Sequence, residues 1–229
     1  MVYQNECIPV IVRSVQPETP GHISVYFERP RLFSYAPGDW IELALPTHQL
    51  AGGKVYSLSS SPHEPELRIT FKAGLSPFKK ALAALRPGDE LRIIRHGNDS
   101  GFSLKEHQPS VLIAGGVGIA PFRSMLSNMV YTASRDTVRL IYLNTFEDFL
   151  YHAEFADWQS ALPGLSIHLI ATKNLKRKDR EKTVGDLLLG SEPQHYIAGP
   201  TAMVSNTLTL LKRHGIFMKS IKIDDFGLY

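Results

Sequence analysis

The segment Val111-Leu112-Ile113-Ala114-Gly115-Gly116-Val117-Gly118-Ile119-Ala120-Pro121 limits what this chain can become more than any other. Four apolar residues of strand character run into three glycines. Ile119, Phe122, Met125, Leu126 and Met129 then recur at helical spacing,. The pattern predicts a strand, a tight turn and a helix. Glycines bring the backbone close to a ligand with no Cβ in the way, and Pro121 suits a first helical turn, where a missing N–H costs little. The unpaired N–H groups and the positive dipole end of a helix N-terminus favour a phosphate there. A glycine turn also serves simply to lead a strand into a helix, so function must be read from the segments around it.

Beyond residue 110, apolar runs at Val111–Ala114, Val138–Leu143, Ser166–Ala171 and His195–Ala198 alternate with helix-like segments. That rhythm predicts an open parallel α/β sheet with covered faces. Before residue 105 the rhythm differs. Ile8, Val10 and Val12 alternate, as do Ile23, Val25 and Phe27, then Ile41, Leu43 and Leu45, then Leu67, Ile69 and Phe71. Pro20-Gly21, Pro37-Gly38-Asp39, Gly52-Gly53 and Pro87-Gly88-Asp89 punctuate them as turns,. Short strands at this spacing predict a closed antiparallel β-barrel, interrupted by one helical piece from Phe78 to Leu85 that Ser76 and Pro77 would open. Polar Lys105-Glu106-His107-Gln108-Pro109 reads as a linker, which gives two domains, 1–106 and 107–229.

Composition narrows the classes. With 43% hydrophobic residues both domains can bury a core, and a net charge of +3 is too small by itself to argue for nucleic acid,. The single cysteine, Cys7, excludes an internal disulfide and any four-cysteine iron–sulfur or zinc site, and no metal site is expected,. Met1-Val2-Tyr3-Gln4-Asn5-Glu6 has neither the basic nor the apolar part of a signal peptide, and no run is long enough to span a bilayer,. A cytoplasmic location is the expectation.

Three further segments accompany the glycine turn: Lys54-Val55-Tyr56-Ser57-Leu58-Ser59-Ser60, Tyr196-Ile197-Ala198-Gly199-Pro200 and the terminal Asp224-Asp225-Phe226-Gly227-Leu228-Tyr229. Their order resembles the ferredoxin-NADP reductase superfamily of two-domain flavin reductases over essentially the whole chain. The resemblance implies an N-terminal FAD-binding barrel and a C-terminal NAD(P)-binding α/β domain. Lys54 stands where the family pattern Arg-x-Tyr-Ser-x-x-Ser has arginine. It would neutralise an FAD phosphate, with Tyr56 and neighbouring Val55 lining the flavin, Ser57 facing flavin N5 and Ser60 helping to hold the pyrophosphate. Lysine gives charge without a bidentate fork. Ser76-Pro77-Phe78-Lys79 resembles a second phosphate-binding turn, through Ser76 and Lys79. Gly97 and Gly101-Phe102 resemble a stretch near the FAD adenosine, and Pro37-Gly38-Asp39-Trp40 a structural turn between barrel strands.

In the second domain Gly115, Gly116, Gly118 and Pro121 match the family's nicotinamide-dinucleotide turn. Gly199 and Pro200 match its Cys-Gly-Pro segment, with Ala198 in place of the cysteine. Asp224 or Asp225 would manage protons and charge at the flavin, and Tyr229 would cover the ring as a gate. Thr172 and Lys173 stand where NADP-using members have a Ser-Arg pair, a lean toward NADP over NAD, although Asn144-Thr145-Phe146 lacks the arginine many members carry. The implied activity is hydride transfer from NAD(P)H to FAD, with electrons passed to a separate ferredoxin, flavodoxin or oxygenase component; the positive charge favours an acidic carrier. The alternatives are a reductase of free flavin, ferric complexes or quinones, and a non-catalytic dinucleotide-sensing or docking subunit.

Overall fold

The computed structural model describes residues 7–46, 53–98, 100–188 and 192–227. The first half builds six strands: β1 (Ile8–Pro17), β2 (His22–Glu28), β3 (Trp40–Ala44), β4 (Lys54–Ser57), β5 (Glu66–Lys72) and β6 (Glu90–Gly97), with α1 (Pro77–Ala83) between the last two. Their order is β4-β3-β6-β1-β2-β5, with every neighbouring pair antiparallel. A bridge between Leu58 and Ile69, and the Ser59 N–H donating to the Arg68 carbonyl at 2.8 Å, join the two outer strands and close the barrel. Closure leaves no free edge. Val10, Val12, Val25, Phe27, Ile41, Leu43 and Ile69 fill the interior, and Phe78 and Leu82 of α1 are buried against them. The helix is shorter at its end than its sequence predicts, stopping at Ala83.

The second half alternates β7 (Ser110–Gly115), α2 (Ile119–Tyr131), β8 (Val138–Asn144), α3 (His152–Ala161), β9 (Leu165–Ala171), α4 (Arg177–Asp186), β10 (Gln194–Gly199), α5 (Thr201–Arg213) and β11 (Ile221–Asp225). The sheet order is β11-β10-β7-β8-β9, wholly parallel. Alternate residues of β7 serve opposite faces. Leu112 and Ala114 pack with Phe122, Leu126, Phe155 and Trp158 of α2 and α3, while Val111 and Ile113 pack with Val184, Val204 and Leu211 of α4 and α5. The strand β11 is an addition to the four read from sequence. Its Ile221-Lys222-Ile223 run is too short to declare itself.

The chain leaves β7 outward through β8 and β9 and returns to the other side as β10, so the strand order reverses between β7 and β10. Ligands of open parallel sheets bind at such a switch, beyond the carboxyl ends of the strands. Gly115 and Gly199 end those two strands. The two halves meet through buried polar contacts: the Arg123 guanidinium donates to the Ser59 carbonyl at 2.8 Å, and the Ser124 hydroxyl to the Ser60 carbonyl at 2.6 Å. Among the described residues no helix is long and apolar enough to cross a membrane.

Candidate functional site

Two cavities lie side by side along the seam between the barrel and the parallel sheet. The first, of about 560 Å³, opens between β4, β5 and α1, and is closed from the second domain by Val117, Ala120 and Phe226. The second, of about 750 Å³, lies over the carboxyl ends of the parallel strands, from Gly115, Gly116 and Val117 to Thr172, Arg180 and Pro200. Val117 and Lys72 line both.

In the first cavity the β4 strand turns Lys54, Val55, Tyr56 and Ser57 to the lining, and the start of α1 adds its cap Ser76 and Lys79 in its first turn. The Tyr56 ring stacks on Phe78, with centroids 6.4 Å apart and planes at 24°, and meets Phe71 edge-on at 6.1 Å. Burial raises its hydroxyl above the ordinary 10. The Ser76 hydroxyl caps α1, accepting the Lys79 N–H at 3.3 Å. Lys54, Lys72 and Lys79 line the cavity, and among the described residues no carboxylate does. A pocket with an aromatic and aliphatic wall, three ammonium groups and no opposing acid suits a large planar ligand carrying several negative charges.

Behind the lining, the hydroxyl of Ser57 donates to the Asp224 Oδ2 at 2.7 Å. Burial lifts the Asp224 carboxyl from 3.8 to about 6, neighbouring Asp225 adds to the rise, and the serine bond opposes it. Such a carboxyl changes protonation near neutral pH beside a hydroxyl that already points at it. The structure separates the two acidic candidates. Asp225 faces the other way, accepting from the Thr201 hydroxyl at 2.7 Å and the Gly227 N–H at 2.9 Å, so it ties the turn after β11 to the start of α5 rather than serving the cavity.

Other expected residues fall outside the two linings. Ser60 is buried, and its hydroxyl accepts the Arg68 backbone N–H at 2.9 Å and bonds the Tyr35 hydroxyl at 3.0 Å, within the barrel. Phe102 packs on Phe122 and Tyr196 in the second domain's core. Gly118, Pro121 and Gly199 lie behind the lining. A Cβ on Gly118 would sit 2.1 Å from the Ala198 carbonyl oxygen, so that glycine lets the turn rest on β10. Gly116, at φ +52°, supplies the left-handed residue of the same turn,. Thr172 lines the second cavity, but its hydroxyl donates to the Asn144 carbonyl at 3.0 Å, and the Lys173 ammonium stands 4.7 Å over the Phe146 ring outside the lining. Tyr229 lies outside the described residues.

Sequence reading missed Thr70, Phe71 and Lys72 as lining groups. Phe71 belongs to an alternating strand and reads as core; only the barrel's closure brings the end of β5 beside β4. It also missed His22, Arg180 and Glu181 in the second cavity, where no short motif marks them.

Barrel and parallel sheet in this order make the two-domain fold seen in solved ferredoxin NADP+ reductases. Residues 112–208 match the family described as oxidoreductase NAD-binding domain. The ferredoxin NADP+ reductase of Neisseria gonorrhoeae, solved with bound FAD and NADP, superposes with a TM-score of 0.81 at 20% identity, covering 97% of this chain and 100% of that one. Among curated relatives, a component of the Na(+)-translocating NADH-quinone reductase of Chlamydia felis is 24% identical over 213 residues, covering 77% of this chain and 49% of its own length. The glycine betaine monooxygenase reductase subunit of Pseudomonas aeruginosa is 28% identical over 218 residues, covering 87% and 58%. The chain thus spans about half the length of the curated relatives it matches.

Proposed function

We propose that the protein is an NAD(P)H-dependent flavoprotein reductase, with FAD in the first cavity, the nicotinamide dinucleotide in the second, and electrons passed on to a separate acceptor. The observation that carries this reading is the junction: a lysine-lined pocket free of carboxylates among the described residues meets a glycine-turned crevice at Val117 and Lys72. Bound FAD supplies the hydride acceptance and the release of electrons one at a time. The chain's own groups do the rest. Lys54, Lys72 and Lys79 neutralise phosphate, Tyr56 and Val55 line the ring's side of the pocket, and Ser57 and Asp224 hold a mobile proton behind its lining. Gly115, Gly116 and Pro200 let the second nucleotide approach the backbone, and Val117 and Ala120 exclude water between the two. Orientation of this kind accounts for much of the rate in a reaction whose chemistry belongs to its cofactors.

The division into an FAD domain, 1–106, and a nucleotide domain, 107–229, follows from the same reading, as does a cytoplasmic setting. For the donor we favour NADPH. Arg180 and Thr172 both line the second cavity, and the neighbouring Glu181 is bound by Arg177 at 2.6 Å and Arg213 at 3.2 Å, so Arg180 offers a cation there to a ribose phosphate,. The name of the Chlamydia relative points instead to NADH. The acceptor is an acidic one-electron carrier or oxygenase component, in keeping with the mild positive charge and with the name of the Pseudomonas relative,. An absorption spectrum of the purified protein, then anaerobic titration with NADPH and separately with NADH, tests this. A flavin band that NADPH bleaches faster is the expected result. Protein that stays colourless after FAD is added overturns the reductase reading, and faster bleaching by NADH overturns the donor assignment.

A further inference from the structure

At the domain seam, one residue is held in a conformation that its side chain disfavours. Tyr151 immediately precedes α3 with φ 60° and ψ 19°, the left-handed region, where a bulky side chain is a genuine outlier,. Strained backbone persists where its surroundings over-determine it. The surroundings here are dense. The ring is buried, with the Arg68 guanidinium 4.7 Å and the Arg123 guanidinium 5.5 Å from its centroid. Those two arginines are themselves fixed: Arg68 by Glu18 at 2.5 Å and Glu154 at 3.7 Å, and Arg123 by Glu154 at 2.9 Å and Glu64 at 3.0 Å.

The phenol leaves its own domain. Its hydroxyl donates to the Thr70 Oγ1 at 2.6 Å, across the seam. Thr70 belongs to β5 and lines the first cavity. The Ser24 hydroxyl at 2.6 Å and the Ser59 hydroxyl at 3.3 Å hold the same oxygen from the barrel side. A phenylalanine at 151 would fill the space and keep both cation–π contacts, so packing does not explain the hydroxyl. What the hydroxyl adds is a bond across the seam to Thr70, a wall residue of the first cavity, with the Ser59 side chain as a second neighbour. The second domain supplies the opposite wall through Val117, in the turn before α2, and Ala120, in the first turn of α2, the helix that also carries Arg123.

We propose that the Tyr151 hydroxyl is a positioning group for hydride transfer: through Thr70 it sets the separation of the two cavities, and so the placement of the nicotinamide against the flavin. The proposal rests on the reading of the cavities given above. Small misplacements of reacting groups are expensive, so the link is felt in the transfer step more than in binding. Tyr151→Phe and Thr70→Val each remove it with little change of shape.

Stopped-flow reduction of the FAD-loaded protein under saturating NAD(P)H, with FAD and nucleotide dissociation constants measured alongside, is the test. Each variant is expected to slow transfer about tenfold while the dissociation constants move less than about twofold, and the double variant is expected to be no slower than either single one. Transfer within about twofold of the parent, or a slowing matched by equal loss of nucleotide binding, overturns the proposal. The link is also read without any cofactor. In urea unfolding of the FAD-free protein, the two substitutions are expected to shift the midpoint non-additively, and additive shifts overturn the proposal. A parent protein that takes up no FAD overturns the reading of the cavities, a result distinct from FAD uptake with unaltered transfer in Tyr151→Phe.

Discussion

Ser57 and Asp224 stand 167 positions apart in the chain, and their 2.7 Å hydrogen bond exists because the ends of β4 and β11 face each other across the domain seam. Burial is what makes the acid useful. Between its ordinary 3.8 and about 6, folded Asp224 retains a proton that the unfolded chain has already released. Stability contributed by this group therefore falls as pH rises from about 4 to about 6, and stays lower above that range. Asp224→Asn keeps an acceptor for Ser57 and removes the buried charge. The variant is expected to be more stable than the parent at neutral pH by on the order of 1–3 kcal/mol, with the difference vanishing near pH 4. Thermal unfolding of both proteins across that range measures it. In flavin reduction, the same substitution should erase an inflection near pH 6 that the parent shows,. An unchanged profile in Asp224→Asn would remove this carboxyl from the proton chemistry. Lys54 carries a different residue-scale lesson: it lines the first cavity, while the hydroxyl of Ser60, in the same motif, bonds Arg68 and Tyr35 within the barrel.

The strand, glycine turn and helix from Ser110 to Tyr131 form where the sequence says they should, because local periodicity and glycine placement are local facts,. Between strand and helix, Gly116–Gly118 makes a single 3-10 turn, which brings Pro121 to the third position of α2, still within its first turn,. What local pattern does not disclose is the reason for the third glycine. Gly118 rests on β10, and an added Cβ would come within 2.1 Å of the Ala198 oxygen, 2.5 Å of its carbonyl carbon and 2.7 Å of the Gly199 nitrogen. Those are backbone atoms of a central strand and cannot swing aside. Gly118→Ala is expected to cost about 1–3 kcal/mol in urea unfolding and to weaken nucleotide binding, since the turn must lift off the sheet. Stability equal to that of the parent would mean that the turn has slack which the observed packing does not show.

At the scale of the whole molecule, the seam is polar and buried. Arg123 is 7% exposed, and although burial opposes its charge, Glu154 and Glu64 more than offset this and raise its pKa above the ordinary arginine value. Buried ion pairs of this kind add little net stability, but removing one partner strands the others. Arg123→Met leaves Glu64 and Glu154 without their shared cation, and is expected to lower stability by about 3–5 kcal/mol and to broaden or split the urea transition as the domains uncouple. Far- and near-ultraviolet circular dichroism on the same samples checks whether both domains unfold together. By itself the sequence determined the two architectures, barrel then parallel sheet, and the position of the glycine turn, each from spacing within a few residues. Lys54, Tyr56 and Ser57 of the first cavity were legible only through the resemblance of their segment to a family motif. The tertiary structure alone decided that Asp224 rather than Asp225 meets Ser57, that the Ser60 hydroxyl bonds Arg68 and Tyr35, and that Thr70, Phe71 and Lys72 complete the pocket. It also decided that Tyr151 reaches across to Thr70. Those pairings join residues of separate elements, and which of two adjacent side chains faces a neighbour depends on how closed barrel and sheet are docked, a rigid-body relation that no local period encodes.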